Sequence, residues 1–269
     1  MTAYINTMKT LSINDLAMMK QAQEKICCLT TYDASFSTLL DAAGIDVMLV
    51  GDSLGMVIQG CSSTLPVTVD DMVYHSRIVA AARKRAFIVT DLPFGSYATP
   101  EQALQNSVNL MQKGGAQMVK LEGAKTEIIE FLVKQGVAVC GHLGLQPQSV
   151  NCLGGYKAQG KDLHQAQRIL EDALKIEQAG AGLLVLECVT AKLAAEVTRQ
   201  LTIPVIGIGA GVACDGQVLV LYDMLNIVTG DRPRFVKNFM DGAKSIEDAV
   251  KSYIRAVKSS QFPGPEHSY

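Results

Sequence analysis

The chain has 269 residues, 48% of them hydrophobic and 19% charged, with a formal net charge of −2. That length suits one barrel of eight βα units, typically ~250 residues, and it can bury about three quarters of the unfolded surface without a disulfide or metal staple. The near-neutral charge argues against a nucleic-acid or anionic-membrane partner, either of which would want a basic face. The basic cluster Arg83-Lys84-Arg85 falls where a helix ends, and cations there suit the helix dipole. Seven cysteines, none in a C-x-x-C pair, read as reduced thiols of a cytoplasmic protein. The stretch MTAYINTMKTLSIND has no apolar core after its charges, so no signal peptide is expected. No apolar run approaches ~18 residues, so no membrane span is expected.

In chain order, a helix over 12–22 precedes the first strand and is placed to plug the bottom of a barrel. Short apolar runs then recur at 26–31, 46–51, 86–91, 116–122, 137–142, 182–187, 204–209 and 218–223. Most are continuously apolar, as strands buried on both faces are. Helix-length amphipathic stretches separate them. The stretch 99–114 opens with Thr99 as cap, Pro100 at the first position and Gln102 where a capping box wants it, and stops at Gly114-Gly115. Further helices are expected at 162–179, 190–200 and 244–259. Strand–helix alternation at this spacing predicts a parallel sheet, and eight repeats predict closure. The fold class is α/β, a (βα)8 TIM barrel, with one catalytic domain over 1–269 and no linker. The glycine run 207–211 reads as a tight strand-to-helix turn. The longest non-helical connection, 143–161, follows strand five, and long loops in compact domains are usually functional.

Chemistry in such a barrel sits at the C-terminal ends of the strands. Strand two ends in Asp52-Ser53, strand three in Asp91, strand four in Lys120 and Glu122, strand five in His142 and strand six in Glu187. One acid at a strand end usually caps the next helix. Four together strain that reading, because two carboxylates ~4 Å apart repel by about 4 kcal/mol at an effective dielectric of about 20. A divalent cation removes the repulsion, and an all-oxygen set suits Mg²⁺ or a similar hard ion. Zinc would want His and Cys ligands at spacings absent here. Lys120 and Glu122 are two apart and share a strand face, so they form either a plain ion pair or a substrate-carboxylate grip beside a metal shell. His142 is either a buried, hydrogen-bonded histidine or a site residue. His75 and His164 lie in helices and read as structural, and His267 lies in the tail.

Several stretches then carry a resemblance: TTYDASFS (30–37), VGDSLGMVIQG (50–60), TLPVTVDDMVYH (64–75), DLPFGSY (91–97), VKLEG (119–123), GHLGLQPQSVN (141–151), GGYKAQG (154–160), LLVLE (183–187), PVIGIGAG (204–211) and the tail FPGPEHSY. Together and in order they closely resemble the ketopantoate hydroxymethyltransferase family. The resemblance implies transfer of a hydroxymethyl group from 5,10-methylenetetrahydrofolate to 3-methyl-2-oxobutanoate through a Mg²⁺-stabilised enolate, giving 2-dehydropantoate for pantothenate biosynthesis. It implies Asp52 and Asp91 as Mg²⁺ ligands, with Glu122 assisting through water. It implies Ser53 and Lys120 on the oxo-acid carboxylate, Glu187 as the base, and His142 beside the substrate. It also implies a cytoplasmic homo-oligomer, a decamer in bacterial members. The alternative is a Mg²⁺-dependent 2-oxo-acid lyase or mutase of the same barrel superfamily. Such enzymes commonly carry a catalytic Cys-containing loop, for which only Cys188 lies near a strand end. A non-catalytic ligand-binding barrel would leave the clustered acids and Lys120 unexplained.

Overall fold

The computed structural model describes residues 9–155, 157–227 and 232–269. The first eight residues of the N-terminal stretch, and Tyr156 of the motif at 154–160, lie outside them. Strands β1 (Ile26–Thr30), β2 (Val47–Val50), β3 (Phe87–Asp91), β4 (Met118–Glu122), β5 (Val139–Gly144), β6 (Leu183–Glu187), β7 (Val205–Ile208) and β8 (Gly216–Leu219) close into a barrel in sequence order. Every neighbouring pair is parallel, including β8 with β1. Every residue of β1 to β4 is buried, which is why the runs are apolar without alternation.

Around the barrel lie α1 (Ile13–Gln21), α2 (Ala34–Ala43), α3 (Leu54–Val57), α4 (Val69–Ala82), α5 (Pro100–Gln112), α6 (Thr126–Lys134), α7 (Val150–Leu153), α8 (Leu163–Gln178), α9 (Ala191–Gln200), α10 (Leu221–Met224) and α11 (Ile246–Lys258). Polar caps start the long ones: the side chains of Asp33, Thr99, Asp162 and Ser245 each accept a backbone N–H of the first turn. Gln102 does not complete the expected box. Its carbonyl accepts from Ala98 N at 2.9 Å, one residue before the cap. Helix α11 buries Ala249, Val250, Tyr253 and Val257, a stripe at helical spacing. The Tyr253 hydroxyl lies 2.8 Å from Cys28 O and 2.9 Å from Gln217 O, so its single proton is shared across the β1–β8 seam.

Helix α1 closes the bottom, as the sequence predicts. Lys20 Nζ donates to Thr198 O and Ile203 O and pairs with Asp215. Leu11 N donates to Arg85 O, just before β3. Full burial of Leu16 contributes roughly 1.5–3 kcal/mol. No helix among the described residues is long and apolar enough to cross a membrane.

Three expectations shift. The eighth strand is 216–219 rather than 218–223, and Leu221 already begins α10. A Cβ at Gly216 would run into Ile26 O, so β1 and β8 meet closely only at a glycine. Secondly, the glycine run 207–211 does not lead into a helix. Gly209 and Gly211 adopt φ of +60° and +82°, and the segment passes from β7 straight to β8. Its carbonyls at Val212 and Cys214 accept from Lys25 Nζ instead. Thirdly, 143–161 is partly helical: a 3-10 turn at Pro147–Ser149 runs into α7.

Candidate active site

Inward positions recur every second residue of a strand, so the residues two above the apolar barrel liners Val89, Cys140 and Val185 are Asp91, His142 and Glu187. The register then sets them side by side. Asp91 is the Cα partner of Lys120, and Glu122 that of His142. Glu187 faces Gly144, which has φ of +91°. A Cβ there would collide with Glu187 O, the acceptor of Leu145 N at 2.8 Å, so glycine is required for β5 to lie against the base of Glu187. Gly51 plays a similar part at β2, where a Cβ would lie 2.8 Å from Ser53 Oγ and 3.5 Å from Asp91 Oδ2.

The side chains form one continuous set of contacts. Asp91 Oδ2 accepts from Asp52 N at 3.0 Å, and Asp91 Oδ1 lies 2.9 Å from Lys120 Nζ. Lys120 Nζ is 3.3 Å from His142 Nδ1, which is 3.6 Å from Glu122 Oε1. His142 Nε2 is 3.2 Å from Glu187 Oε2, in contact but without hydrogen-bond alignment. Ser53 Oγ and the Tyr32 hydroxyl are 2.8 Å apart. The lysine therefore pairs with Asp91 rather than with Glu122. None of the four acids caps a helix: α3, α5, α6 and α9 begin at Ser53, Thr99, Lys125 and Thr190. The capping reading of the strand-end acids is thereby excluded.

Burial and charge decide the protonation states. Burial, then the neighbouring Asp91 charge, pushes the Asp52 carboxyl up to about 7. Burial raises Glu122 well above the usual carboxylate range, against the pull of Lys120. For Lys120, burial opposes the ammonium, yet the combined attraction of Asp91, Glu122 and Asp52 holds its pKa above the ordinary value. Burial and Lys120 lower His142, so its ring is neutral. An ammonium has only donors, so Nδ1 accepts from Lys120 and the ring proton sits on Nε2, toward Glu187.

Among the described residues, no three His, Cys, Asp or Glu side chains are already drawn together as around an ion. The donor set still fits a hard cation. Asp52, Asp91 and Glu122 offer only oxygens from neighbouring strand ends, and Asp91 Oδ1 is buried with no hydrogen bond beyond its ion pair. The high Asp52 pKa is the same fact seen from the proton's side: positive charge is wanted there.

Three neutral residues absent from the sequence-based set complete the site: Tyr32, Tyr97 and Gln148. Tyr97 donates to Gln148 Oε1 at 2.5 Å, and Gln148 donates from its backbone to Glu122 Oε2 at 3.0 Å and from its side chain to Asp52 Oδ2 at 2.8 Å. All three lie inside the resemblance motifs, but a neutral phenol or amide on a loop gives no charge signal of its own.

Residues 10–265 match the family model described as ketopantoate hydroxymethyltransferase. A protein of Nitrosospira multiformis named 3-methyl-2-oxobutanoate hydroxymethyltransferase is 58% identical over 254 residues, covering 93% of this chain and 96% of its own. One of the same name from Burkholderia mallei is 56% identical over 261 residues, covering 96% of each. Among solved structures, a putative phosphonomutase from Burkholderia cenocepacia superposes with a TM-score of 0.62 at 14% identity, over 80% of this chain and 95% of its own. A phosphonopyruvate hydrolase, solved in complex with oxalate and Mg²⁺, gives 0.59 at 9% identity, over 78% of this chain and 81% of its own. At such low identity these two speak for the barrel alone, whereas the first two, with the family model, settle descent: the chain belongs to the ketopantoate hydroxymethyltransferase family.

Proposed function

We propose that the chain transfers a hydroxymethyl group from 5,10-methylenetetrahydrofolate to 3-methyl-2-oxobutanoate, yielding 2-dehydropantoate for pantothenate synthesis. The observation that carries this is the unbroken contact path from Asp52 through Asp91, Lys120 and His142 to Glu187 at one barrel mouth. Mg²⁺ held by Asp52 and Asp91, with Glu122 assisting through water, would supply a Lewis acid that makes the carbon beside the ketone more acidic.

The chain's own groups do the rest. Lys120 has three N–H bonds, of which two are spoken for by Asp91 and His142. The third is available to the substrate carboxylate, with Ser53 Oγ as the second contact. Tyr32 holds that hydroxyl in place from behind. Glu187 removes the C3 proton. Its side chain keeps 16% of its surface exposed against 3% for His142, so it is the acid a substrate in the mouth can touch. His142 Nε2 lies 3.2 Å from Glu187 Oε2, and its N–H would orient the carboxylate once the two align. A positioned base of this kind contributes roughly 10²–10⁴-fold. The carbanion then bonds to the methylene carbon of the folate, both C–N bonds to that carbon break in turn, water supplies the hydroxyl, and tetrahydrofolate leaves. The chain works in the cytoplasm as a homo-oligomer, a decamer as the family resemblance implies.

The test follows the C3 proton. Incubated in D₂O with 3-methyl-2-oxobutanoate and Mg²⁺ but no folate, the protein should exchange that proton, and adding methylenetetrahydrofolate should yield 2-dehydropantoate. A protein that instead cleaves a carbon–carbon bond of 2-oxo acids without folate would be the lyase of the alternative reading.

A further inference from the structure

Gln148 reaches every element that carries an acid proposed for the metal. It is 5% exposed and sits in the 3-10 turn at the start of the long connection after β5. Its two amide protons go to Asp52 Oδ2 beyond β2, at 2.8 Å, and to Leu92 O beyond β3, at 2.9 Å. Its amide oxygen accepts from Tyr97, in the β3–α5 connection, at 2.5 Å. Its backbone N–H goes to Glu122 Oε2 at the end of β4, at 3.0 Å. Both amide protons, the amide oxygen and the backbone donor are thus engaged, and each of the two carboxylates has one oxygen pinned. The opposite oxygens, Asp52 Oδ1 and Glu122 Oε1, accept nothing from Gln148.

We infer that Gln148 is a positioning residue that fixes the metal-facing oxygens of Asp52, a ligand, and of Glu122, which acts through water, and that through it the segment Leu145–Cys152 is latched to the metal site. The inference rests on the metal reading above and adds a device to it. Donors behind a ligating carboxylate orient it and are worth roughly 10–100-fold in metal affinity when removed. Coupling of this kind is reciprocal: if the latched loop favours the metal, the metal favours the latched loop by the same factor. No acid is needed in the loop itself, and no side chain of α7 need touch the ion.

The experiment is a Mg²⁺ titration by calorimetry, paired with hydrogen–deuterium exchange of 145–152 with and without Mg²⁺, with no substrate present. Gln148→Met keeps the length and apolar volume but removes both donors and the acceptor. It should weaken Mg²⁺ binding roughly 10–100-fold and abolish the extra exchange protection that Mg²⁺ gives the loop in the wild type. Tyr97→Phe leaves the Gln148 donors in place but frees the amide to rotate, and should weaken binding by a smaller factor with the same loss of protection. Should Gln148→Met not fold, Tyr97→Phe carries the test alone. Mg²⁺ affinity within twofold of wild type in both variants, or loop exchange in the wild type that ignores Mg²⁺, overturns the latch. A wild-type protein that binds no Mg²⁺ overturns the metal reading instead, so the two failures are told apart.

Discussion

At the bottom of the barrel Asp46 is as buried as any acid at the mouth, 1% exposed against 5% for Asp52, yet all its oxygens are answered. Oδ2 accepts from Cys27 N at 3.0 Å and pairs with Lys258 at 2.8 Å, while Oδ1 pairs with Arg85 at 2.8 Å. Asp215 next door accepts from Val205 N and pairs with Lys20. At the mouth, four carboxylates face one lysine and a neutral imidazole. Both ends use the same residue types. At the bottom, cations from α1, α4–β3 and α11 tie helices to strands, and with Glu24 also on Lys258 the three cations meet three acids. At the mouth the charges do not cancel while all four acids are ionised, so Asp52 and Glu122 hold their protons more tightly than usual, and a cation could take the protons' place. The barrel divides its labour in this way, with stability below and chemistry above.

Single substitutions of these acids separate the two ends of the barrel. The largest effect should come from Glu187→Gln, which keeps the shape and the contact with His142 but cannot take a proton. Proton exchange at C3 should fall by roughly 10²–10⁴-fold, with 3-methyl-2-oxobutanoate still binding and melting little changed. Normal exchange in that variant, read by proton NMR, would take Glu187 out of the base role.

Next comes the bottom. Asp46→Asn leaves Lys258 and Arg85 without their shared anion. Breaking a buried pair from one side costs about 3–5 kcal/mol, and the partial exposure of both cations puts the expected loss at about 3. Activity per folded molecule should not change. The same substitution at the mouth should act in the opposite direction. Asp52→Asn removes one of two mutually repelling carboxylates and keeps an oxygen for Gln148, so in EDTA it should melt no lower than wild type. Both it and Asp91→Asn should bind Mg²⁺ more weakly by calorimetry. If Asp52→Asn melted as low as Asp46→Asn, the acids at the two ends would not differ in their contribution to stability.

What the sequence could carry follows the same line. Apolar runs marked the strands because burial on both faces leaves no room for alternation, and the ionisable residues at their ends were legible because charge at a strand end is costly. Sequence alone misplaces the eighth strand because Val218–Tyr222 is apolar throughout, while the packing that selects 216–219 depends on Gly216 meeting β1, a contact no local pattern reveals. Gln148 and Tyr97 were invisible for a similar reason. An amide in a loop acquires its role only when the barrel brings Asp52 and Glu122, from separate strands, onto either side of it.

The smallest expected effects separate two serines at helix starts. Ser12 caps α1 at the bottom: its hydroxyl accepts from Asp15 N, and the Asp15 carboxylate accepts from Ser12 N–H in return. Ser12→Ala should cost about 1 kcal/mol of stability and leave every KM alone. Ser53 occupies the same position before α3 but makes no cap bond; its hydroxyl faces Tyr32. Ser53→Ala alone would strand the buried Tyr32 hydroxyl, so the informative variant is the double, Tyr32→Phe with Ser53→Ala, which removes both partners and leaves no unpaired group. Its melting point should stay near wild type, while KM for the oxo acid rises about tenfold, the equivalent of about 1.4 kcal/mol for one lost bond to a carboxylate. A double variant that melts lower than Ser12→Ala, with KM unchanged, would make Ser53 another structural serine and leave Lys120 to hold the carboxylate alone.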